Sequence, residues 1–520
     1  MHRYRRLLAA CFLMALGQRL AAAQSPESVA RAVGSITAAD VARRIGIIAH
    51  DSMRGRDTPS PELEEVAAYI AGEFRRFGLK PGGDSGTFIQ RYGVVRRRLD
   101  TAATTLAIAG PAPQTLRPGS GLLVIPALPL PERELAGPVA LLAGPADSAA
   151  PLAGLDVKGA WIAMPAVAAP RGVFGLQFDV RAAQTAVVEH GALGVLLFSD
   201  RPDSAWRALQ PRLGRPTVGL EGAAAEPFQA ALLELRDSTA ARALGIDPAA
   251  LRASATRVAR RLDGTTVTFR PAQHVLERIS APNAVGILEG RDPLLGREYV
   301  VYSGHMDHVG VAGSSPGCQA RGADSICNGA DDDASGTIAV VEAAEAFARL
   351  TPRPRRSIVF LTVSGEEKGL WGSRYFADHP ALPIADAVAN LNLDMVGRNW
   401  KDTISVIGRE HSDLGTTLAR VAAAHPELNM QPVDDQWPAE NFYFRSDHYN
   451  FARKGVPILF FFNGTHPDYH QVSDHPELID AEKESRIVKL AFYLGLELAN
   501  AAERPKWNPD SYKRIVEAGN

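Results

Sequence analysis

The chain has 520 residues, 46% hydrophobic and 22% charged, a composition of soluble globular proteins and a length beyond one ordinary domain. A net charge of −2 and the lack of any long basic run exclude an electrostatic footprint for nucleic acid. No apolar run in the sequence reaches the length of a membrane span.

In chain order, residues 1–23 read as a secretory signal: "MHRYRR" is a basic start, "LLAACFLMALG" an apolar run, and "AAA" before Gln24 a small-residue cleavage site. The remainder is expected outside the cytoplasm, periplasmic or secreted. "LAAC", ending at Cys11, resembles a lipoprotein box but comes with almost no apolar run before it, so lipidation ranks second. Residues 36–80 predict two helices divided by a Gly/Pro-rich loop; the second carries Val66, Ile70 and Phe74 at helical spacing and stops at Gly78. From about 110 to 270 the chain is rich in Ala, Pro, Gly and Leu, with β-type runs "GAWIAMP" and "LGVLLFS" separated by the helical "DVRAAQTAVVEHGA". Few clustered polar groups lie there, which suits an inserted accessory domain.

From about 280 the pattern becomes strand, loop, helix, repeated. The strands "EYVVYSG", "SIVFLTVSG", "AVANLNLDMVG" and "VPILFFFNG" are near-continuous apolar runs, as in a sheet covered on both faces. The fold class is α/β: a mixed, mostly parallel sheet flanked by helices, with an inserted small β-rich α+β domain. The expected boundaries are a signal over 1–23, the first part of the main domain over 24–110, the insert over 111–272, the rest of the main domain over 273–505 and a tail over 506–520. Cys318 and Cys327 share a Gly-, Ser- and Asp-rich loop, and an exported compartment permits them a disulfide.

Polar groups gather just past these strands. The first ends in "SGHMDHVG", with His305, Asp307 and His308, followed by "GADDDASGT", with Asp331, Asp332 and Asp333. The second supplies Glu366 and Glu367, the third Asp394, and the fourth leads to His466, Asp468, Tyr469 and His470. Taken alone, the aspartate run reads as the capped start of the helix "IAVVEAAEAFARL", and a Glu pair as a solvated helix start. Four strand ends that each carry acid or imidazole instead point to a metal site, because strand carboxyl ends are where open α/β sheets bind ligands. Neutral imidazole with carboxylate suits zinc. Two His and three or more carboxylates exceed one tetrahedral ion, whereas two ions sharing a carboxylate would use them all. One aspartate of the run must then face two cations. A serine hydrolase is a poorer fit: "GSSPG" around Ser315 is followed by a loop instead of the helix such a motif needs.

Together "HMD", "GADDDASG", "SGEEKGLWGS", "NLDMVG" and "DYH" resemble the co-catalytic di-zinc aminopeptidases of clan MH, which include secreted bacterial leucyl aminopeptidases and glutamate carboxypeptidase relatives. The resemblance is close over 280–500 and loose over 36–100, and it implies a zinc aminopeptidase (phosphorylase/hydrolase-like) fold. "LAGLDVKGAWIAMP" and "AVVEHGALGVLLFSD" resemble the protease-associated domain inserted in such enzymes. What the resemblance implies is two Zn2+ per chain, one held by His305, Asp332 and Asp394, the other by Asp332, Glu367 and His470. It further implies a cis peptide after Asp332, Glu366 as general base, Asp307 as the group that orients His305, and Tyr469 as a stabiliser of the tetrahedral intermediate. The implied activity is removal of N-terminal residues from peptides with a free amine. Carboxypeptidase or dipeptidase action on the same site and a non-catalytic receptor-like relative are the alternatives. Trp437, Phe442, Tyr443 and Phe444 are candidates for a side-chain pocket, and Arg445 and His448 for substrate contact. Nothing in the sequence sets the oligomeric state.

Overall fold

The computed structural model describes residues 24–517, apart from 120, 126–129, 132, 148–149, 174–175, 223–230 and 314–316. The signal over 1–23 and Ser315 therefore lie outside the described residues. Two compact units divide the chain: Met1–Tyr92 with Ser280–Asn520, and Gly93–Ile279.

In the first unit the two expected helices form where capping chemistry starts them. Helix α1 (Ala38–Ile48) begins at Thr37, whose hydroxyl accepts from the Asp40 amide at 3.1 Å. Helix α2 (Pro61–Arg76) begins at Ser60, which accepts from Leu63, with Pro61 in the first turn. It ends in a Schellman arrangement: Gly78 has φ 75°, and the Leu79 amide returns to the Phe74 carbonyl at 3.1 Å. Val66, Ile70 and Phe74 are buried, as their spacing predicts.

Beyond them come β1 (Tyr299–His305), α3 (Gly336–Ala348), β2 (Ser357–Val363), α4 (Trp371–Asp378), β3 (Ala387–Leu393), β4 (Thr403–Ile407), β5 (Ile458–Phe461) and α5 (Ala481–Asn500). The sheet order is β2-β1-β3-β5-β4, with Gln273–Leu288 against the outer edge of β2 and Gln431–Val433 beyond β4. The four strands with polar ends, β2, β1, β3 and β5, are mutually parallel. Their flanks, Gln273–Leu288 and β4, are antiparallel, so the sheet is mixed. Both faces are covered. Val300 and Tyr302 of β1 enter one apolar cluster and Tyr299 and Val301 the other, the period of two a pleated strand imposes. Asp394 stands just past the end of β3, not within it.

The second unit has its own sheet and core. Trp161–Val173 and Gly194–Ser199 are parallel neighbours, and Val180–Gln184 between them is helical, as the sequence predicts. Leu141 and Leu196 point to one cluster, Leu142 and Leu197 to the other. The unit is wider than 111–272 because Thr105–Ala109 pairs with Val258–Arg270 inside it. At the C-terminus Pro509–Tyr512 is helical, and Ile515 and Val516 are buried in the first unit's core. Residues 506–517 are therefore packed structure instead of a trailing tail. Cys318 and Cys327 are disulfide-bonded, with Cα atoms 5.9 Å apart. Among the described residues no helix is long and apolar enough to cross a membrane.

Candidate metal centre

The three adjacent aspartates are all buried, and each does something different. Asp333 serves the backbone: its Oδ1 accepts from the Gly336 amide at 2.8 Å, which caps α3, and from Met395 at 3.1 Å, while Oδ2 accepts from His305 at 2.9 Å. Asp331 accepts from the Gly397 amide at 2.7 Å and lies 3.1 Å from His466 Nε2. Asp332 is the one of the three that turns to two imidazoles. Its Oδ1 is 3.3 Å from His305 Nε2, and its Oδ2 is 3.0 Å from His470 Nε2. One carboxylate thus faces two histidines through different oxygens, the disposition of a bridge. The Asp332–Asp333 peptide is cis, as the resemblance implies.

Around this bridge the strand ends bring in the rest. His305 closes β1, and its Nε2 is 3.7 Å from Asp394 Oδ1. Glu367, in the loop after β2, places Oε2 3.2 Å from His470 Nε2. Donor atoms mutually within 4.8 Å form two groups among the described residues: His308, Asp332, Glu367 and His470, and His305, Asp333 and Asp394. Asp333 belongs to the second group by distance only, since both its oxygens are taken by amides. Asp468 is turned away, to Arg398 at 2.8 Å.

Tautomers follow from partners. His305 Nδ1 lies 3.2 Å from the Asp307 carbonyl oxygen, which can only accept, so Nδ1 holds the proton and Nε2 is left for the centre. The expected orienting contact comes mainly from the Asp307 backbone, because its carboxylate Oδ1 is 3.7 Å away. That carboxylate instead accepts from Thr58 Oγ1 at 2.8 Å and from the Glu366 amide at 3.3 Å, which ties the Glu366–Glu367 loop to β1.

Electrostatics differ sharply within a few ångströms. Burial pushes Asp332 up, yet the imidazoles of His308, His305 and His470 together hold it well below the usual carboxylate range. Burial raises Glu366 well above that range, with the carboxylates of Glu367, Asp447 and Asp394 adding to it and His305 opposing. Burial, then the surrounding carboxylates, also raises Tyr469, so its phenol stays protonated and can donate.

An open cleft lies beside the centre, lined by His305, Asp332, Glu366, Asp394, Phe442 and Tyr469 among others. Of the four aromatic candidates only Phe442 lines it. Trp437 packs behind, edge-on to Phe442 and Phe462, Tyr443 is core, and Phe444 is 44% exposed. Phe460 and Phe462, at the end of β5, complete the apolar wall. Arg445 lines the cleft, but His448 does not: it is buried with Nε2 donating to the Tyr443 carbonyl at 2.8 Å.

Several supporting residues carry no sequence signal. Arg56 is fully buried, and its guanidinium donates to the carbonyls of Met306, Asn328, Gly329 and, at 3.3 Å, Asp332. Asp474 accepts from the amides of Asp331 and Asp332 at 3.0 and 3.2 Å. Ser446 Oγ donates to Asp394 Oδ2 at 2.8 Å. These three fix the bridging turn from both sides and orient Asp394.

A mixed sheet with a carboxylate–imidazole cluster at its parallel strand ends defines an α/β domain with a candidate metal centre. Within it, residues 283–495 match the model of peptidase family M28. A protein of Pyricularia oryzae named probable zinc metalloprotease is 30% identical over 279 residues, 44% of this chain and 53% of its own length. One of Arthroderma otae named probable leucine aminopeptidase is 25% identical over 238 residues, 44% of this chain and 61% of its own. The chain spans about half the length of the curated relatives it matches. The aminopeptidase from Aneurinibacillus sp. strain AM-1 shares the fold, with a TM-score of 0.50 at 19% identity over 91% of this chain and 96% of that one.

Proposed function

We propose that this chain is an exported zinc-dependent aminopeptidase that removes N-terminal residues from peptides. The reading is carried by the convergence of His305, Asp332, Glu367, Asp394 and His470 beside a cleft whose wall holds Glu366. The donors fit the metal. Asp332 Oδ2 and Glu367 Oε1 are buried without a hydrogen-bond partner, and carboxylates so crowded need cations to offset their desolvation and mutual repulsion. In this reading His305, Asp332 and Asp394 hold one Zn2+, and Asp332, Glu367 and His470 the other. Zinc there supplies Lewis acidity and a water of lowered pKa.

Glu366 takes the proton of the attacking water on its carboxylate and returns it to the leaving amine nitrogen. Positive charge in the centre draws its raised pKa back toward the ordinary range, which suits a base. Tyr469 donates from its protonated phenol to the developing oxyanion. Glu366 and Asp394 on the cleft wall attract the substrate ammonium, while Phe442, Phe460 and Phe462 suit an apolar first side chain. The activities named for the fungal relatives agree with this reading. The expected signal over 1–23 and the Cys318–Cys327 disulfide support export to an oxidising compartment. The insert, with its parallel strand pair around a helix, we take as a protease-associated domain.

Arg445 on the cleft lining favours a second reading, in which a substrate carboxylate is bound and the chain is a carboxypeptidase. One peptide, its N-acetylated twin and its C-amidated twin separate the two by mass spectrometry. An aminopeptidase shortens the free and amidated peptides from the N-terminus and spares the acetylated one. Trimming of the acetylated peptide from its C-terminus would overturn that direction.

A further inference from the structure

His308 has no part in the five-ligand scheme, yet it sits inside the centre. It is fully buried, and both of its ring nitrogens lack a hydrogen-bond partner. Nδ1 is 2.8 Å from Glu367 Oε1 and 3.7 Å from Asp332 Oδ2, and the ring stands at 75° to His470 with centroids 5.5 Å apart. A nitrogen 2.8 Å from a carboxylate oxygen, but not aligned as a hydrogen bond, describes two groups aimed at a common point instead of at each other. The ring is held there from behind. Gly329 lies flat against it at φ 59°, where any side chain would run into the His308 ring, and the His308 amide donates to the Arg56 carbonyl at 3.4 Å.

We propose that His308 is a fourth protein ligand, through Nδ1, to the ion held by Asp332, Glu367 and His470. The inference rests on the two-ion reading above. It makes the two half-sites unlike. Two imidazoles and two carboxylates close a four-coordinate set around one ion, whereas His305, Asp332 and Asp394 leave the other an open position. The closed ion is the one held more firmly, and the open one is the one a chelator strips first.

The test is a cobalt and zinc titration of the wild-type chain, His308→Ala and His308→Asn, read by metal content after graded chelation and by the visible spectrum of the cobalt forms. In the wild type one ion resists chelation and gives an intense four-coordinate cobalt spectrum. In His308→Ala the affinity for that ion falls about 100-fold or more, at or beyond the upper end of what loss of a mere orienting partner costs, and the spectrum weakens. His308→Asn keeps a donor near the position of Nδ1 toward Glu367. If His308 only oriented Glu367, Asn would restore affinity and spectrum, which overturns the proposal. Unchanged affinity and spectrum in His308→Ala overturn it as well. Should Ala fail to fold, the Asn form alone decides by the same two readouts. A wild-type chain that binds neither metal would instead sink the function proposed above.

Discussion

Asp331, Asp332 and Asp333 carry the same side chain, and only their surroundings separate a hydrogen-bond acceptor, a candidate bridging ligand and a helix cap. The run itself announces a cation or a cap; which residue does which depends on amides from Gly397, Met395 and Gly336 that are distant or neighbouring in sequence. Glu366 is more directly legible, since a Glu pair after an apolar strand is a local feature. Glu366→Gln should lower turnover by about 10²–10⁴-fold while leaving the bound zinc in place, read by steady-state kinetics beside metal analysis. Activity within a few-fold of wild type would remove Glu366 from the role. Arg56 was invisible: "RGRDTPSP" offers two similar arginines, of which Arg54 is largely exposed and Arg56 buried under the bridging turn. Arg56→Met leaves buried carbonyls without a donor, at about 1–3 kcal/mol each, so denaturant unfolding should shift by several kcal/mol. A shift within about 0.5 kcal/mol, as for an ordinary surface site, would refute its structural role.

At the scale of elements, the strands were legible because a sheet covered on both faces needs uninterrupted apolar runs, and the loops because their composition breaks those runs. The turn before α3 is the most constrained of them. Gly329 occupies the left-handed region at φ 59° with the His308 ring and Asp332 carbonyl against its Cα. Gly329→Ala should therefore cost at least about 1 kcal/mol from the backbone alone, and weaken zinc binding as the turn shifts. Normal zinc affinity in that variant would mean the turn can yield without moving Asp332.

The loop before β1 carries a pH signature. Asp292 accepts from the amides of Leu294 and Leu295 and from Arg355, which together hold its carboxyl down to about 2 from an ordinary 3.8. A depressed folded pKa means stability that is present above about pH 4 and lost as pH falls toward 2. Asp292→Asn should thus lower the melting temperature at neutral pH, with the gap from wild type narrowing between pH 4 and pH 2. A gap constant across that range would show that the charge contributes nothing.

For the whole molecule, all of the donors lie in the unit formed by Met1–Tyr92 and Ser280–Asn520, although they come from four strand ends spread over much of its sequence. Ions that bind only the folded arrangement stabilise it by mass action, about 2.7 kcal/mol at a hundred times the dissociation constant. Chelation should lower the melting temperature and added zinc should restore it, followed by calorimetry. A melting temperature indifferent to both would argue that the centre is held by the protein's own hydrogen bonds.

The sequence by itself determined the α/β class, the insert and the candidate donors, because strand periodicity, turn composition and residues at strand ends are local properties. It did not mark the insert as beginning at Gly93, nor Ile515 and Val516 as part of the core. Only the tertiary structure decided that Asp307 orients His305 mainly through its backbone, that Arg56 and Asp474 grip the bridging turn, that Phe460 and Phe462 line the cleft, and that His308 faces the centre. Each depends on groups far apart in the chain meeting in a buried space, where desolvation makes an unpartnered polar atom costly and the packing selects its partner.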